Sequence, residues 1–326
     1  MGGKALKNIK TERKNTKDFF RIGGEIQKIV KDKLDVDSYI VKAYHNKETH
    51  GDLDLLLNIG DKNINLKEWI EETFKPNDIF NNNVISFDYD NFQIDFISLN
   101  ENNFQVAKDF FDYSPQGNLV GKIAHKFGLK WGFNGLIYPY RNSNGNISNN
   151  FSISKDTEKV FKFLDIDYDK FKQGFDNEEE IFEWIISSKY FDHENFKMEN
   201  LNHIDRKRNN KRADYQRFLK YLEDNKNNKK YNFKPKKEYL NDIYNFFPES
   251  DLMNKIKESE KINKENLEIS NKFNGNLIME KYPNLKGKEL GNKIFNFKNS
   301  FENWRNYALN NSSEEIMNKF DYFLKN

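Results

Sequence analysis

Between residues 16 and 34 the apolar positions Phe19, Ile22, Ile26, Ile29 and Val30 fall three or four residues apart, which gathers them on one face of a helix. Gly23-Gly24 sits inside that pattern and weakens the helical signal. Residues 38–44, Ser-Tyr-Ile-Val-Lys-Ala-Tyr, are β-rich and predict a first strand. A polar turn over 45–50 leads into Gly51-Asp52-Leu53-Asp54, which opens onto the apolar run Leu55-Leu56-Leu57 of a strand entering a buried sheet. Leu66–Phe74 reads as a helix, and 84–88 with 92–99 as a hairpin. Residues 119–127 are again helical, with Gly128 as the glycine just past the helix end.

The Asn/Ser/Gly-rich stretch 142–150 predicts a boundary, dividing the chain into domains of 1–145 and 151–326. Beyond it helical signals dominate. Asn177-Glu178-Glu179-Glu180 precedes the apolar Ile181, Phe182, Trp184, Ile185 and Ile186 in the manner of a capping box. Further helices are expected over 214–223 and 252–273, separated by a lysine- and asparagine-rich loop over 225–237. Strands grouped with helices, followed by helices alone, make an α+β fold with a mixed sheet and flanking helices, then a mostly helical domain.

With 326 residues there is room for two domains with cores of their own. Cysteine is absent, which excludes disulfides, thiolate zinc sites and a cysteine nucleophile. Of the five histidines only His45 and His50 are close in sequence, so a zinc site is not expected. No apolar run reaches the length of a membrane span, and the opening residues carry no signal-peptide apolar stretch. Leu6 stands where a myristoylation motif needs Ser or Thr. No membrane is expected, and the cytosol, or a host's cytosol, is the expected compartment. The net charge of +2 hides an asymmetry: residues 201–240 hold thirteen Lys/Arg against five Asp/Glu on an otherwise mildly acidic chain. That segment suits either a polyanionic partner or a solvated helix face with a lysine-rich loop.

The chemistry concentrates at three acids. Asp52 and Asp54 are two residues apart on a strand and so point to one face. Asp95 lies in the apolar strand Phe92-Gln93-Ile94-Asp95-Phe96-Ile97, where a charge is costly unless paired or bound to metal. If the two strands are neighbours, three carboxylates converge with no basic partner in the motif. A divalent cation relieves such repulsion, and hard oxygen ligands that leave positions open for phosphate and water suit Mg²⁺.

Gly51-Asp52-Leu53-Asp54 on one strand with a lone Asp95 on a later one resembles the signature of the DNA polymerase beta-like nucleotidyltransferase superfamily, whose members include tRNA CCA-adding enzymes, poly(A) polymerases and small antibiotic- or protein-modifying transferases. The resemblance covers about the first 130 residues. Ala43-Tyr44 or a neighbour stands where the family has a Gly-Ser pair holding the triphosphate. A looser likeness to the helical part of CCA-adding enzymes lies in Asn274-Gly275-Asn276-Leu277-Ile278-Met279 and in Gly287-Lys288-Glu289-Leu290-Gly291-Asn292-Lys293-Ile294. The resemblance implies a nucleotidyltransferase-type sheet and two Mg²⁺ ions, with Mn²⁺ as a substitute, on Asp52, Asp54 and Asp95. It also implies an NTP substrate such as ATP, bound near Tyr44, Lys47 and Gly51.

Lys122 and Lys126, one helical turn apart, read as a solvated helix face before they read as further contacts to nucleotide phosphates, and Gly2-Gly3 with Lys4 is another candidate. Gly117–Lys122 is not a P-loop, because its spacing is one short and Ile123 replaces the Ser or Thr. The aromatics Trp131, Phe133, Tyr138 and Tyr140 read as core before they read as base-stacking surface. Arg206, Arg208, Lys211, Arg212 and Arg217 are the candidates for a nucleic-acid backbone. The expected activity is transfer of nucleotide from NTP to an acceptor, foremost an RNA 3′ end. The alternatives are a transferase that modifies a protein or small molecule, and a non-catalytic nucleic-acid-binding protein on the same fold.

Overall fold

The structure, a computed structural model, describes residues 3–142 and 145–325. Gly2 of the proposed phosphate contact, and Ser143 and Asn144 of the expected boundary, lie outside the described residues. The first compact unit comprises Met1–Pro139 and Asn149–Ser250, the second Tyr140–Ser148 and Asp251–Asn326. Residues 151–250 therefore group with the acid-bearing sheet and not with the C-terminal helices.

The chain opens with a short strand, β1 (Lys14–Asn15), and the helix α1 (Thr16–Leu34), followed by β2 (Asp37–Ile40), β3 (Thr49–His50) and β4 (Asp52–Asn58). Then come α2 (Leu66–Phe74), β5 (Ile79–Asn81), β6 (Ile85–Tyr89) and β7 (Phe92–Leu99). Five of these strands form one mixed sheet in the order β2-β4-β7-β6-β5, with β4 and β7 parallel and every other pair antiparallel. The β6–β7 hairpin turns at Asp90 and Asn91, both at positive φ (54° and 56°), the backbone that a two-residue type I′ turn requires.

Strand alternation sorts the side chains of the sheet. Leu53, Leu55 and Leu57 of β4 with Phe92, Ile94 and Phe96 of β7 enter a core closed by Phe19, Ile22, Ile26 and Val30 of α1 and by Leu66 and Ile70 of α2. The opposite face carries a smaller apolar cluster of Leu56, Ile97 and Leu99, with Ala107 from α3 (Glu101–Phe111) over them, and buries the polar Ser86, Asp88 and Gln93. Asp52, Asp54 and Asp95 share that second face by register, at its end beyond this cover.

The paired glycines of α1 have different roles. A Cβ on Gly23 would stand 2.5 Å from Ile40 Cδ1 and 3.0 Å from Leu53 Cδ1, so the missing side chain lets the helix lie close on the sheet. Nothing lies within 4 Å of a Cβ at Gly24. Gly24→Ala is accordingly expected to stabilise the fold by about 0.5–1 kcal/mol in urea unfolding, from helix propensity alone. Gly23→Ala is expected to lose that gain to crowding; equal gains at both positions would refute this account.

The strand expected over 38–44 stops at Ile40 as regular β structure. Val41 N still donates to Asp54 O at 3.1 Å, but the Lys42 amide turns to Asp112 Oδ1 (2.8 Å), and Lys42 O accepts from Tyr113 N. β propensity yields here to a buried carboxylate that draws the backbone away. Asp112, 3% exposed, also accepts from the Tyr39 hydroxyl at 2.7 Å. Burial pushes its carboxyl from 3.8 up to about 6, the two donated bonds pulling the other way. Folding thus favours the neutral acid. Its contribution to stability is complete below pH 3.8 and is lost as pH rises through about 6. Asp112→Asn, which keeps shape and removes the charge, is expected to flatten this loss, on the order of 2–3 kcal/mol between pH 4 and 7. Urea unfolding of both proteins at the two pH values checks it, and an unchanged slope would contradict it.

After α4 (Gln116–Lys126) and Gly128 at φ +80°, strands β8 (Lys130–Gly132), β9 (Gly135–Arg141) and β10 (Ile147–Ser154) form a three-stranded sheet in the order β10-β9-β8. The polar 142–150 stretch is in part the connection between two paired strands and in part β10 itself. The helices α5 (Thr157–Phe163), α6 (Tyr168–Gln173), α7 (Glu178–Ser187), α8 (His203–Asn209), α9 (Ala213–Asp224) and α10 (Leu240–Phe246) complete the first unit. Phe161, Phe171, Phe175 and Trp184 pack edge to face or stacked within it. Asn177 caps α7 through Glu180 N as expected, but Glu180 reaches back to Asp176 N and pairs with Lys170.

The second unit holds α11 (Leu252–Lys272), α12 (Gly275–Lys281), α13 (Gly287–Asn299), α14 (Trp304–Asn310) and α15 (Ser313–Lys325) around Phe273, Phe297 and Phe320. Asn274 caps α12 by accepting from Asn276 N and Leu277 N. Among the described residues no helix is long and apolar enough to cross a membrane.

Candidate active site

The register of β4 on β7 sets Asp54 directly opposite Asp95 and Asp52 opposite Gln93. Adjacent strands lie about 4.8 Å apart, so Asp54 and Asp95 leave neighbouring strands side by side, near enough for each charge to bear on the other. Each member has a different surrounding. Asp54 is half-buried and has no hydrogen-bond donor to its carboxylate among the described residues. Burial holds its pKa well above the carboxylate range, reinforced by Asp52 and Asp95 and opposed only by Lys47. Asp95 is pushed up to about 6, first by burial, against hydrogen bonds from Ser86 and Gln93. The Gln93 amide donates to both its oxygens, at 2.9 and 3.1 Å. Asp52 accepts from Gly3 N at 3.0 Å.

Two of the three acids thus have oxygens engaged by the chain's own N–H groups. Among the described residues no three acidic or histidine side chains are gathered as a ready set of metal ligands. The donor chemistry fits a hard divalent cation all the same: three carboxylates, one of them with no donor, repelling one another on one sheet face.

The loop from β2 to β3 carries the groups of opposite charge. Lys47 is half-buried within electrostatic reach of Asp52, Asp54, Arg13 and Glu178, and burial lowers its pKa. The loop is tied to the helical segment by His45 N to Phe175 O (2.8 Å), Asn46 N to Asp176 O (3.0 Å) and His45 Nδ1 with Asp176 Oδ1 (2.9 Å). Glu178, at the start of α7, grips Arg217 of α9 with two bonds of 2.5 and 2.7 Å. Tyr44 is near enough to Arg217 to bear on its charge. Beneath the loop His50 is buried and stacks on Phe19 at 3.9 Å. Burial, then Lys47 and Arg13, lower its pKa to about 4, so it is neutral at pH 7.

The structure therefore brings Asp52, Asp54, Asp95, Gly51 and Lys47 together, with Tyr44 on the same loop. Lys122 and Lys126 on α4 are engaged elsewhere. The Lys122 ammonium, 9% exposed, pairs with Asp205 at 2.6 Å, and Lys126 lies 5.5 Å from the Phe233 ring centre. In the basic segment Arg206, Lys211 and Arg212 are exposed and form no ion pair among the described residues. Arg208 leans on Asn118 (3.2 Å) and, at 3.9 Å, on Asp205. Part of the basic excess is structural: Lys229 donates to the carbonyls of Ile186, Ser187 and Ser188 at the end of α7. Among the aromatics, Trp131 (7% exposed) and Tyr140 (8%) are core.

Gln93, Ser86, Arg13 and Glu178 are site neighbours that sequence reasoning missed. Gln93 was legible, because it precedes Asp95 by two and alternation puts both on one face. Ser86, Arg13 and Glu178 come from other elements and carry no local signal. No family model matches the chain, and no curated protein matches it.

Proposed function

We propose that the chain is a cation-dependent nucleotidyltransferase of the DNA polymerase beta-like type, which moves a nucleotide from NTP to an acceptor, most simply an RNA 3′ end. The observation that carries this reading is the pairing of Asp54 with Asp95 across adjacent parallel strands, beside Asp52, with no donor to Asp54 among the described residues. Carboxylates forced together at a cost to folding are a feature of sites whose charge is used.

Asp52, Asp54 and Asp95 would hold the cations. Once bound, these supply Lewis-acid activation of an attacking hydroxyl and charge stabilisation at a leaving pyrophosphate. Lys47 adds a positive charge on the approach to the acids, and its half-buried position strengthens its pull on a triphosphate. Gln93 and Ser86 orient the Asp95 carboxylate. Arg206, Lys211 and Arg212 offer an acceptor's backbone three exposed cations that form no ion pair among the described residues.

Incubation with each α-labelled NTP, Mg²⁺ and a mixed RNA pool tests the reading. Label on RNA, weakened by added salt and absent with Asp52→Ala/Asp54→Ala, is expected. Label on protein would redirect the acceptor. RNA binding with no transfer to any acceptor would leave a binding protein in its place.

A further inference from the structure

The segment ahead of β1 lies across the acids. Gly3 N donates to Asp52 Oδ2 at 3.0 Å and Ala5 N to Gln93 Oε1 at 2.9 Å. Lys7 N and Asn8 N both donate to Asp78 Oδ2 at 2.9 Å, and Leu6 between these anchors is only 8% exposed. The Thr11 hydroxyl returns to Gly3 O at 3.3 Å, and Glu12 N reaches Asn91 O at 2.7 Å. Gly3 has φ of +78°, and a Cβ there would stand 2.2 Å from Gly51 O. Only glycine brings this amide to Asp52 without displacing the backbone.

The contact through Gln93 has a second consequence. Its carbonyl end is held by Ala5 N, which turns the amide end onto both oxygens of Asp95. The segment thus supplies one N–H to Asp52 directly and fixes another on Asp95 through Gln93. N–H donors on carboxylate oxygens occupy the lone pairs that a cation takes. Asp54, which the segment does not reach by a hydrogen bond, is the acid without a donor among the described residues.

We propose that residues 3–11 form a latch that competes with divalent cations for Asp52 and, through the positioning residue Gln93, for Asp95. This rests on the reading of the three acids as a cation-dependent transfer site. Closed, the latch donates to the acids; open, it releases their oxygens. By linkage, cation binding and latch release favour each other by the same factor.

The test is a titration of the full chain with Mn²⁺, followed by the electron paramagnetic resonance of the free ion, together with hydrogen exchange over residues 3–8. Wild type, Gly3→Ala and Thr11→Val are compared. Gly3→Ala, whose Cβ is driven onto Gly51 O, is expected to bind Mn²⁺ about tenfold more tightly, the worth of one hydrogen bond to a charged group. Thr11→Val shifts affinity the same way by less, and saturating Mn²⁺ speeds exchange of the wild-type segment about tenfold. Equal affinities with unchanged exchange overturn the latch and leave the acid site standing. Slower exchange on adding Mn²⁺ also overturns it, since the segment would then complete the cation site. No Mn²⁺ binding by any of the three proteins overturns the latch and the transfer reading together.

Discussion

Asp54→Asn is expected to abolish nucleotide transfer, by on the order of 10³-fold or more, while making the folded chain more stable. Both effects have one cause. Asp54 is half-buried, has no donor among the described residues, and faces Asp95 across a single strand spacing with Asp52 on its own strand. Removing its charge ends that repulsion, a gain of roughly 0.5–2 kcal/mol of the kind seen when a functional strain is relieved. The same change removes a ligand from the cations, and the loss of several kcal/mol of charge stabilisation is about 10³ in rate. Transfer assays and urea unfolding on one preparation check the pair of effects. A destabilised and inactive protein would instead make Asp54 a structural residue.

Phe297→Ala is expected to cost about 3–5 kcal/mol and to unfold the second compact unit at moderate temperature. Phe297 is 1% exposed, and its ring meets those of Phe273, Phe301, Trp304, Phe320 and Phe323 at centroid distances of 5.0–5.6 Å. Alanine leaves a cavity lined by rigid rings, which collapse poorly into the space. Calorimetry that resolves the transition of this unit, with near-ultraviolet circular dichroism of its aromatics, gives the measurement. A loss below about 1 kcal/mol would mean that the ring cluster is less closely packed than its distances imply.

Asp52, Asp54 and Asp95 were legible in the sequence because each belongs to a local pattern: alternation on β4, and a charge inside the apolar β7. Their meeting depended on β4 and β7 being neighbours, a long-range pairing that no local pattern encodes. The hairpin of β6 and β7 was legible from its apolar strands and the polar residues between them. The end of β2 was not, because Asp112, some seventy residues away, takes the Lys42 amide. Nor was the grouping of α5 to α10 with the sheet: the polar 142–150 stretch looks like a linker, yet strands flank it and pair. The cations of α4 read as a solvated helix face or as phosphate contacts, but Asp205 and Phe233 come from distant elements to meet them. The latch is the clearest instance. Gly3 is needed at Asp52 for its positive φ and its missing Cβ, and neither need is visible until Gly51 stands beside it.

Cation-dependent pyrophosphate release from each NTP, measured for wild type beside Asp54→Asn and Asp95→Asn, decides whether the three acids form a transfer site. Release that requires Mg²⁺ or Mn²⁺, favours one or a few nucleotides, and falls to background in both variants with their folds intact is expected. Release that persists in Asp54→Asn, or no release by wild type with any nucleotide, cation and acceptor, would contradict it.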